Sequence, residues 1–327
     1  MIRRWLPTAV LSMGFAVSAE VASSQMKDAT TADASRVTYH STQVDGLKIF
    51  YREAGPKDAP VIVLLHGFPS SSHMFRELIP RLSDKYHVLA PDYPGYGYSD
   101  APPPERYAYT FDHLADTVDH FLDQQGILKY SIYIQDYGSP VGFRLATRHP
   151  ERIQAIITQN GNAYDEGLSP FWAEFLYPYW NDPNPTNEAK VRQLLMLDAT
   201  KLQYLQGFRT PEHVSPDSYL FDQAALDRPG NDKIQFALFY DYRNNPPLYP
   251  AWHKYLREKK PAVLVVWGKN DPIFAQAGAQ AFLRDTPSAE LHLLDTGHFA
   301  LEEDGAEIAR LIRSFLEKNV HSAIEKR

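Results

Sequence analysis

Residues 130–142 read YSIYIQDYGSPVG, and this stretch decides the fold class. Residues 131–135 are a short run of the kind expected for a parallel strand buried on both faces, and residues 140–149 have the spacing of a helix. A sharp turn with small residues lies between them. Such a strand–turn–helix unit presents a nucleophilic side chain at its apex, and the apex residue here is Asp136.

The side chain of Asp136 has a second interpretation, because an aspartate before a helix often accepts hydrogen bonds as an N-cap. A serine esterase is not indicated, since Asp136 holds the apex and Ser139 lies three positions later, on the first helical turn. The choice between nucleophile and cap therefore depends on what the rest of the chain brings to the same place.

Strand and helix patterns alternate on both sides of this stretch. Upstream, alternating residues around Asp45-Gly46 predict a β-hairpin. Further apolar runs predict strands at residues 61–65, 86–90, 153–158, 262–267 and 291–294, and amphipathic patterns predict helices at residues 74–82, 111–125 and 306–317. Because strands that alternate with helices form a mostly parallel sheet with helices on both faces, we predict the α/β class.

The strand pattern is absent from residues 164–250, which follow the sixth strand counted from the hairpin. This segment carries Trp, Tyr and Phe at helical spacing together with several prolines. We predict that it is an inserted helical cap, and that the α/β core comprises residues 37–163 and 251–327.

Two further polar residues follow predicted strands. Asp271 comes after the strand at residues 262–267, and His298 lies on a glycine-preceded loop after the strand at residues 291–294. Sites in open α/β sheets form at the carboxyl ends of the strands, so Asp136, Asp271 and His298 are expected on one rim. Nucleophile, acid and histidine is also an order known for triads on α/β folds. We therefore predict that the three residues form a catalytic triad.

The sequence His66-Gly67-Phe68-Pro69 ends the first buried strand and is expected close to Asp136. There the backbone N–H groups of Phe68 and Tyr137 would form an oxyanion hole, in which each donor is worth about 2.7–4 kcal/mol. The alternative is a turn that holds His66 for structural reasons only.

Together these motifs resemble the epoxide hydrolase and haloalkane dehalogenase branch of the α/β-hydrolases. The resemblance rests on residues 66–69 (HGFP), residues 92–100 (DYPGYGYSD), residues 135–138 (QDYG), Asp271 and His298. It implies an α/β-hydrolase fold with a mostly parallel central sheet flanked by helices. It also implies an Asp nucleophile that forms an alkyl-enzyme ester, which histidine-activated water then hydrolyses.

The resemblance covers two activities, which differ in what stabilises the leaving group. Dehalogenases of this branch usually hold a halide with a Trp after the nucleophile, with an Asn or Trp partner. This chain has Tyr137 and Phe68 in the corresponding motifs, although Trp172 or Trp180 of the cap could serve instead. Residues 134–135 (IQ) before the nucleophile are similar to those of dehalogenases.

Epoxide hydrolases of this branch protonate the alkoxide with two cap tyrosines. Residues 239–244 (FYDYRN) are similar to the segment that carries the second of these, which nominates Tyr242. For the first, residues 175–180 offer Tyr177, with Tyr179 in reserve. We predict epoxide hydrolysis to a diol, with haloalkane dehalogenation as the alternative and a catalytically silent small-molecule binding protein as a third possibility.

The composition limits the classes of ligand and partner that we expect this protein to bind. The net charge is −7 and no Lys/Arg run is present, which argues against nucleic acid. The chain has no cysteine, which excludes thiol chemistry, and no histidine pair has metal-ligand spacing on one helix. We therefore predict no metal and no cofactor. The aromatic, weakly charged cap favours a small apolar organic substrate, with water as co-substrate.

The first residues have the pattern of an export signal. Arg3 and Arg4 precede an apolar run at residues 5–19, which ends in the small residues Val17-Ser18-Ala19. At about 15 residues this run is shorter than the roughly 20 that a membrane span needs, although an uncleaved anchor is the alternative. We predict a signal peptide at residues 1–19, a flexible lead-in at residues 20–36, and a periplasmic or secreted protein.

Overall fold

The computed structural model describes residues 36–321. The predicted signal peptide and all of the predicted lead-in except Arg36 lie outside the described residues. Within residues 36–321, no helix is long and apolar enough to cross a membrane.

Eight strands form one sheet in the order β1-β2-β4-β3-β5-β6-β7-β8. Their bounds are Thr38–Val44 (β1), Leu47–Ala54 (β2), Val61–Leu65 (β3), His87–Pro91 (β4), Tyr130–Ile134 (β5), Ile153–Gln159 (β6), Ala262–Gly268 (β7) and Glu290–Leu294 (β8). The β1–β2 and β2–β4 pairs are antiparallel and every other pair is parallel. The predicted hairpin is confirmed, and both residues of its turn, Asp45 and Gly46, have the positive φ that such a tight turn requires.

The α/β-hydrolase fold is confirmed, with helices on both faces of the sheet and a helical insertion after β6. The core helices are Leu78–Leu82 (α1), Phe111–Gln124 (α2) and Gly138–Arg148 (α3). Between β6 and β7 lie Tyr177–Asn181 (α4), Pro185–Arg192 (α5), Leu197–Leu205 (α6), Pro216–Leu226 (α7), Asn231–Asp241 (α8) and Tyr249–Lys259 (α9). After β7 lie Gln276–Asp285 (α10) and Leu301–Leu316 (α11), and a π-helical turn at Glu317–His321 completes the described residues. Short 3₁₀ or π turns join several of these helices.

The sheet separates two apolar clusters, and alternate residues of β5 face opposite sides. Ile132 and Ile134 belong to the cluster under α2, α3, α9, α10 and the insertion, whereas Tyr133 belongs to the cluster under α1 and α11. All five residues of β5 are buried, as a strand covered on both faces requires. The central position of β5 places Asp136, the second residue after it, in the middle of the sheet's carboxyl edge.

Three helices differ from the sequence-based expectations. The helix predicted at residues 74–82 is a 3₁₀ turn at Ser72–Phe75 followed by α1, which begins only at Leu78. The C-terminal helix α11 begins at Leu301, five residues before the predicted start at residue 306. Helix α9 begins at Tyr249, and its residue Trp252 stacks on Phe143 of α3 with ring centroids 5.1 Å apart. Helix α9 therefore packs on the core, although it continues directly from the inserted segment.

Candidate active site

The turn after β5 holds Asp136 in an uncommon backbone conformation, with φ at +48°. An L-residue is strained in this left-handed region, and such strain clusters at functional sites. Close packing of α3 on β3 accompanies it, because a Cβ on Gly138 would come within 2.2 Å of the Leu65 carbonyl oxygen. A glycine at position 138, two residues after Asp136, is therefore a geometric requirement of the turn.

Asp136 lies one residue before Tyr137, the N-cap residue of α3. Its Oδ1 accepts hydrogen bonds from the backbone N–H of Phe68 at 2.7 Å and of Tyr137 at 2.6 Å. Helix α3 has no side-chain cap. The N-cap interpretation of Asp136 is therefore wrong, and the two backbone donors named from the sequence converge on one oxygen of this carboxylate.

The loop that delivers Phe68 fits closely against the carboxylate. A Cβ on Gly67 would lie 2.2 Å from the Cβ of Asp136, so only glycine allows this approach. Asp92 also fixes this loop by hydrogen bonds. Its two carboxylate oxygens accept from the backbone N–H groups of Ser72 (2.7 Å) and Tyr98 (2.8 Å). Through Asp92, the 92–100 motif thus stabilises the loop that carries the Phe68 donor.

His298 and Asp271 are also brought together. The Nδ1 atom of His298 lies 2.8 Å from Oδ2 of Asp271. Asp271 is fixed by two further donors, the Asn160 side chain to Oδ2 at 2.7 Å and the Ile273 backbone N–H to Oδ1 at 2.7 Å. This arrangement sets the orientation of the imidazole and leaves Nε2 directed away from Asp271.

A residue that the sequence did not single out as functional contacts this imidazole. The amide Nε2 of Gln135, one residue before Asp136, lies 2.8 Å from Nε2 of His298. The sequence analysis also did not identify Asn160. This residue directly follows β6, and a polar residue at a strand end is the same signal that pointed to Asp271 after β7.

Burial and neighbouring charges change the pKa values of Asp136 and His298. Desolvation raises the pKa of Asp136 to about 6, although the nearby His298 and the N–H groups of Phe68 and Tyr137 act in the opposite direction. For His298, desolvation lowers the pKa, but the charge and hydrogen bond of Asp271 and the charge of Asp136 outweigh it, so the net shift is upward. At neutral pH the Asp136 carboxylate is therefore mostly ionised.

We expect attack by Asp136 to weaken as the pH falls through about 6, because only the ionised carboxylate is nucleophilic. Well below that pH, the rate constant for ester formation should fall about tenfold per pH unit. Rapid-quench intact-mass measurements between about pH 5 and pH 8 would give this profile, with circular dichroism over the same range as the control for folding. An apparent pKa near 4, that of an ordinary carboxyl, would contradict the effect of burial.

A cavity of about 330 Å³ opens above Asp136. Its inner end is formed by Asp136, Tyr137, Trp172 and Tyr242, which are all buried. Most other lining residues are apolar or aromatic, while Gln193, Asp198 and Gln203 supply polar groups. The size and the apolar lining suit a small organic molecule.

The structure places the two nominated cap tyrosines differently. Tyr242 is buried at the inner end of the cavity, with its ring centroid 5.9 Å from that of Tyr137. Tyr177 is 36% exposed and does not line the cavity, because its ring packs against the outer side of the cap beside Trp180. The reserve residue Tyr179 is buried against Tyr240 and also lies outside the cavity.

The two cap tryptophans use their indole N–H groups within the protein. Trp172 donates to the Ile273 carbonyl oxygen at 2.9 Å, and Trp180 donates to that of Phe239 at 2.7 Å. Neither indole could hold a halide at Asp136 unless its bond to the backbone broke first. The hydroxyl of Tyr137, in contrast, has no hydrogen-bond partner among residues 36–321, and its ring lines the cavity.

No group of three His, Cys, Asp or Glu side chains within residues 36–321 is placed to hold a metal ion.

The fold and this set of polar residues at the carboxyl edge of the sheet define a hydrolase of the α/β class. A family model described as "alpha/beta hydrolase fold" matches residues 60–305, so the chain belongs to the α/β-hydrolase family.

Named relatives lie within the same family. "Uncharacterized hydrolase YNR064C" of Saccharomyces cerevisiae is 47% identical over 86% of this chain and 98% of that protein. A haloalkane dehalogenase of Mycobacterium marinum is 30% identical over 84% of this chain and 91% of that protein.

Similar solved structures include the haloalkane dehalogenase DbeA from Bradyrhizobium elkani USDA94. It has a TM-score of 0.71 and 23% identity and covers 88% of this chain and 100% of its own. The epoxide hydrolase VrEH1 from Vigna radiata has a TM-score of 0.69 and 21% identity. The match covers 86% of this chain and 98% of that protein. At these identities the two structures support the fold alone.

Proposed function

We propose that this protein hydrolyses epoxides to diols through a covalent ester on Asp136. The observation that carries the proposal is the pairing of Asp136 with Tyr242 at the inner end of one cavity, while both cap indole N–H groups are engaged elsewhere. An ionised carboxylate that faces a protonated phenol suits the opening of a strained ether, because attack and proton donation come from different sides.

The first half-reaction follows from the hydrogen bonds of the carboxylate. Oδ1 of Asp136 accepts both backbone N–H groups, which leaves Oδ2 as the attacking oxygen. A bond forms between Oδ2 and an epoxide carbon, the ring C–O bond breaks, and the released oxygen takes the hydroxyl proton of Tyr242. Burial, with the neighbouring Tyr249, raises the pKa of Tyr242, so this hydroxyl carries its proton at neutral pH.

The second half-reaction uses His298. Nε2 of His298 takes a proton from water while the water oxygen attacks Cγ of Asp136, and the negative charge develops on Oδ1. The N–H groups of Phe68 and Tyr137 already point at this oxygen, so they stabilise the tetrahedral intermediate without rearrangement. The bond between Cγ and Oδ2 then breaks, and the leaving diol oxygen takes the proton from Nε2 of His298. The other water proton passes from the new carboxyl of Asp136 to the Tyr242 phenolate, which restores the carboxylate and the phenol.

We further propose that Tyr137 supplies the second hydroxyl in place of Tyr177. Its hydroxyl lacks a partner within residues 36–321, and its ring lies beside that of Tyr242. The two hydroxyls would then come from the turn after β5 and from the cap, whereas the resemblance implied two cap residues.

Haloalkane dehalogenation is the second candidate, because a relative 30% identical to this chain carries that name. The same ester and the same hydrolysis step would serve it. The leaving halide would have to be held by the Tyr137 and Tyr242 hydroxyls, since neither cap tryptophan has a free indole N–H.

Export through residues 1–19 also stays a proposal that rests on the sequence pattern alone.

A side-by-side assay of styrene oxide and phenethyl bromide tests the function. We expect diol formation with a kcat/KM at least about tenfold above that for bromide release, which is about 1.4 kcal/mol in transition-state stabilisation. Faster bromide release would assign the protein to the dehalogenases. Absence of turnover and of any Asp136 adduct with either compound would favour the silent binding protein.

A further inference from the structure

The side chain of Gln135 is enclosed next to the proposed base. It is fully buried, and its Nε2 lies 2.8 Å from Nε2 of His298. Its Oε1 is buried without a hydrogen-bond partner among the described residues. A buried amide oxygen left unpaired costs stability, so its retention beside the imidazole calls for an explanation in terms of function.

The hydrogen bonds of His298 fix the direction of this contact. Because Nδ1 faces the carboxylate of Asp271 at 2.8 Å, Nδ1 carries the proton in the neutral ring and Nε2 presents a lone pair. The amide N–H of Gln135 donates to that lone pair. The same lone pair must accept the proton of the hydrolytic water.

Once Nε2 of His298 is protonated, it can no longer accept a bond from the amide N–H of Gln135. A half-turn of the amide about its last side-chain torsion would present Oε1 to the new N–H. The oxygen gives up no bond in turning, since it has none among the described residues. Oε1 faces Gly67, where a Cβ would come within 2.6 Å of it, so the glycine leaves the amide its space.

We propose that Gln135 is a positioning residue for ester hydrolysis, whose amide donates to neutral His298 and turns to accept from the imidazolium. This inference rests on the proposed ester mechanism and deepens it. The charged groups that act on His298 are Asp271, which contacts Nδ1, and Asp136, while the uncharged amide of Gln135 contacts Nε2.

The test separates the two half-reactions with Gln135→Met, which keeps the side-chain length and removes the amide. Rapid-quench intact-mass measurements with styrene oxide give the rate constants for ester formation and ester loss. We expect ester formation to stay within about threefold of the wild-type rate and ester loss to slow by about 10- to 100-fold, less than the roughly 10²–10⁴-fold contribution of a general base itself, because Gln135 acts through His298.

A second variant, Gln135→Glu, is nearly isosteric and offers only acceptors when ionised. It should favour the imidazolium and shift the acid limb of the ester-loss profile to higher pH by about one unit or more. A residue that only fills space would not produce this shift, so the pH profile distinguishes positioning from packing.

Gln159 provides the matched control. It is equally buried, but its amide donates to the backbone carbonyl oxygen of His298 at 2.9 Å and to Oδ1 of Asn160 at 2.6 Å, and it contacts neither ring nitrogen. Oδ1 of Asn160 also accepts from the backbone N–H of Gly268 at 2.9 Å, so it keeps a partner when Gln159 is replaced. Gln159→Met should leave the ratio of the two rate constants and the pH profile at the wild-type values.

An unchanged rate and pH profile of ester loss in the Gln135 variants would overturn the proposal, as would an equal fall in both half-reactions. If the wild-type protein forms no ester, the proposed function and this inference fail together. If it forms the ester and Gln135 proves indifferent, the inference fails alone.

Discussion

Replacing His298 with Gln should trap the substrate on the protein. The carboxylate of Asp136 is ionised without help from a base, so ester formation continues, whereas hydrolysis loses the group that removes the proton from water. We expect ester loss to slow by about 10³-fold or more, within the range that a missing general base produces. Intact mass after exposure to styrene oxide should rise by one substrate, and peptide mapping should place the addition on Asp136.

The double variant Asp136→Asn/His298→Gln is the control for this experiment. It keeps the buried shape of the site and removes the attacking carboxylate, so it should gain no mass. A stable adduct on another residue, or no adduct with either styrene oxide or phenethyl bromide in His298→Gln, would count against the ester mechanism.

Replacing Tyr242 with Phe should abolish most epoxide opening and slow halide displacement much less, because a halide loses only one of its two hydroxyl donors and needs no proton. The ring of Tyr242 packs between Trp172 (4.5 Å between centroids) and Trp180 (6.2 Å), so Phe keeps the packing and loses only the hydroxyl. An alkoxide needs a proton in order to leave and a halide does not. We expect kcat/KM for styrene oxide to fall by about 10²–10⁴-fold, the usual contribution of a general acid.

Two other tyrosines give graded controls for Tyr242. Tyr249 neighbours Tyr242 without lining the cavity, so Tyr249→Phe should have a smaller effect on the same rate. Tyr177 lies outside the cavity, so Tyr177→Phe should leave kcat/KM near the wild-type value. Equal loss of epoxide and bromide turnover in Tyr242→Phe would remove the reason to prefer the epoxide.

Tyr242 and Tyr177 also show where sequence-based prediction fails. Both were nominated from short aromatic segments of the cap, and only Tyr242 reaches the cavity. In a helix each residue turns the side chain by about 100°, so the face that a given tyrosine presents depends on how the whole segment packs. Residues 172–181 pass from a π turn into α4, a local irregularity that periodicity does not encode.

The sequence by itself determined the sheet, the insertion after β6 and the positions of Asp136, Asp271 and His298 at strand ends. Buried parallel strands are continuous apolar runs, and their carboxyl ends meet on one edge, so local patterns suffice for these features. Only the tertiary structure decided that Phe68 and Tyr137 donate to one oxygen of Asp136, that both indole N–H groups are engaged, and that Gln135 contacts His298. Each of these depends on the direction of a side chain or an N–H group across elements distant in sequence. Packing fixes that direction, and no local pattern records it.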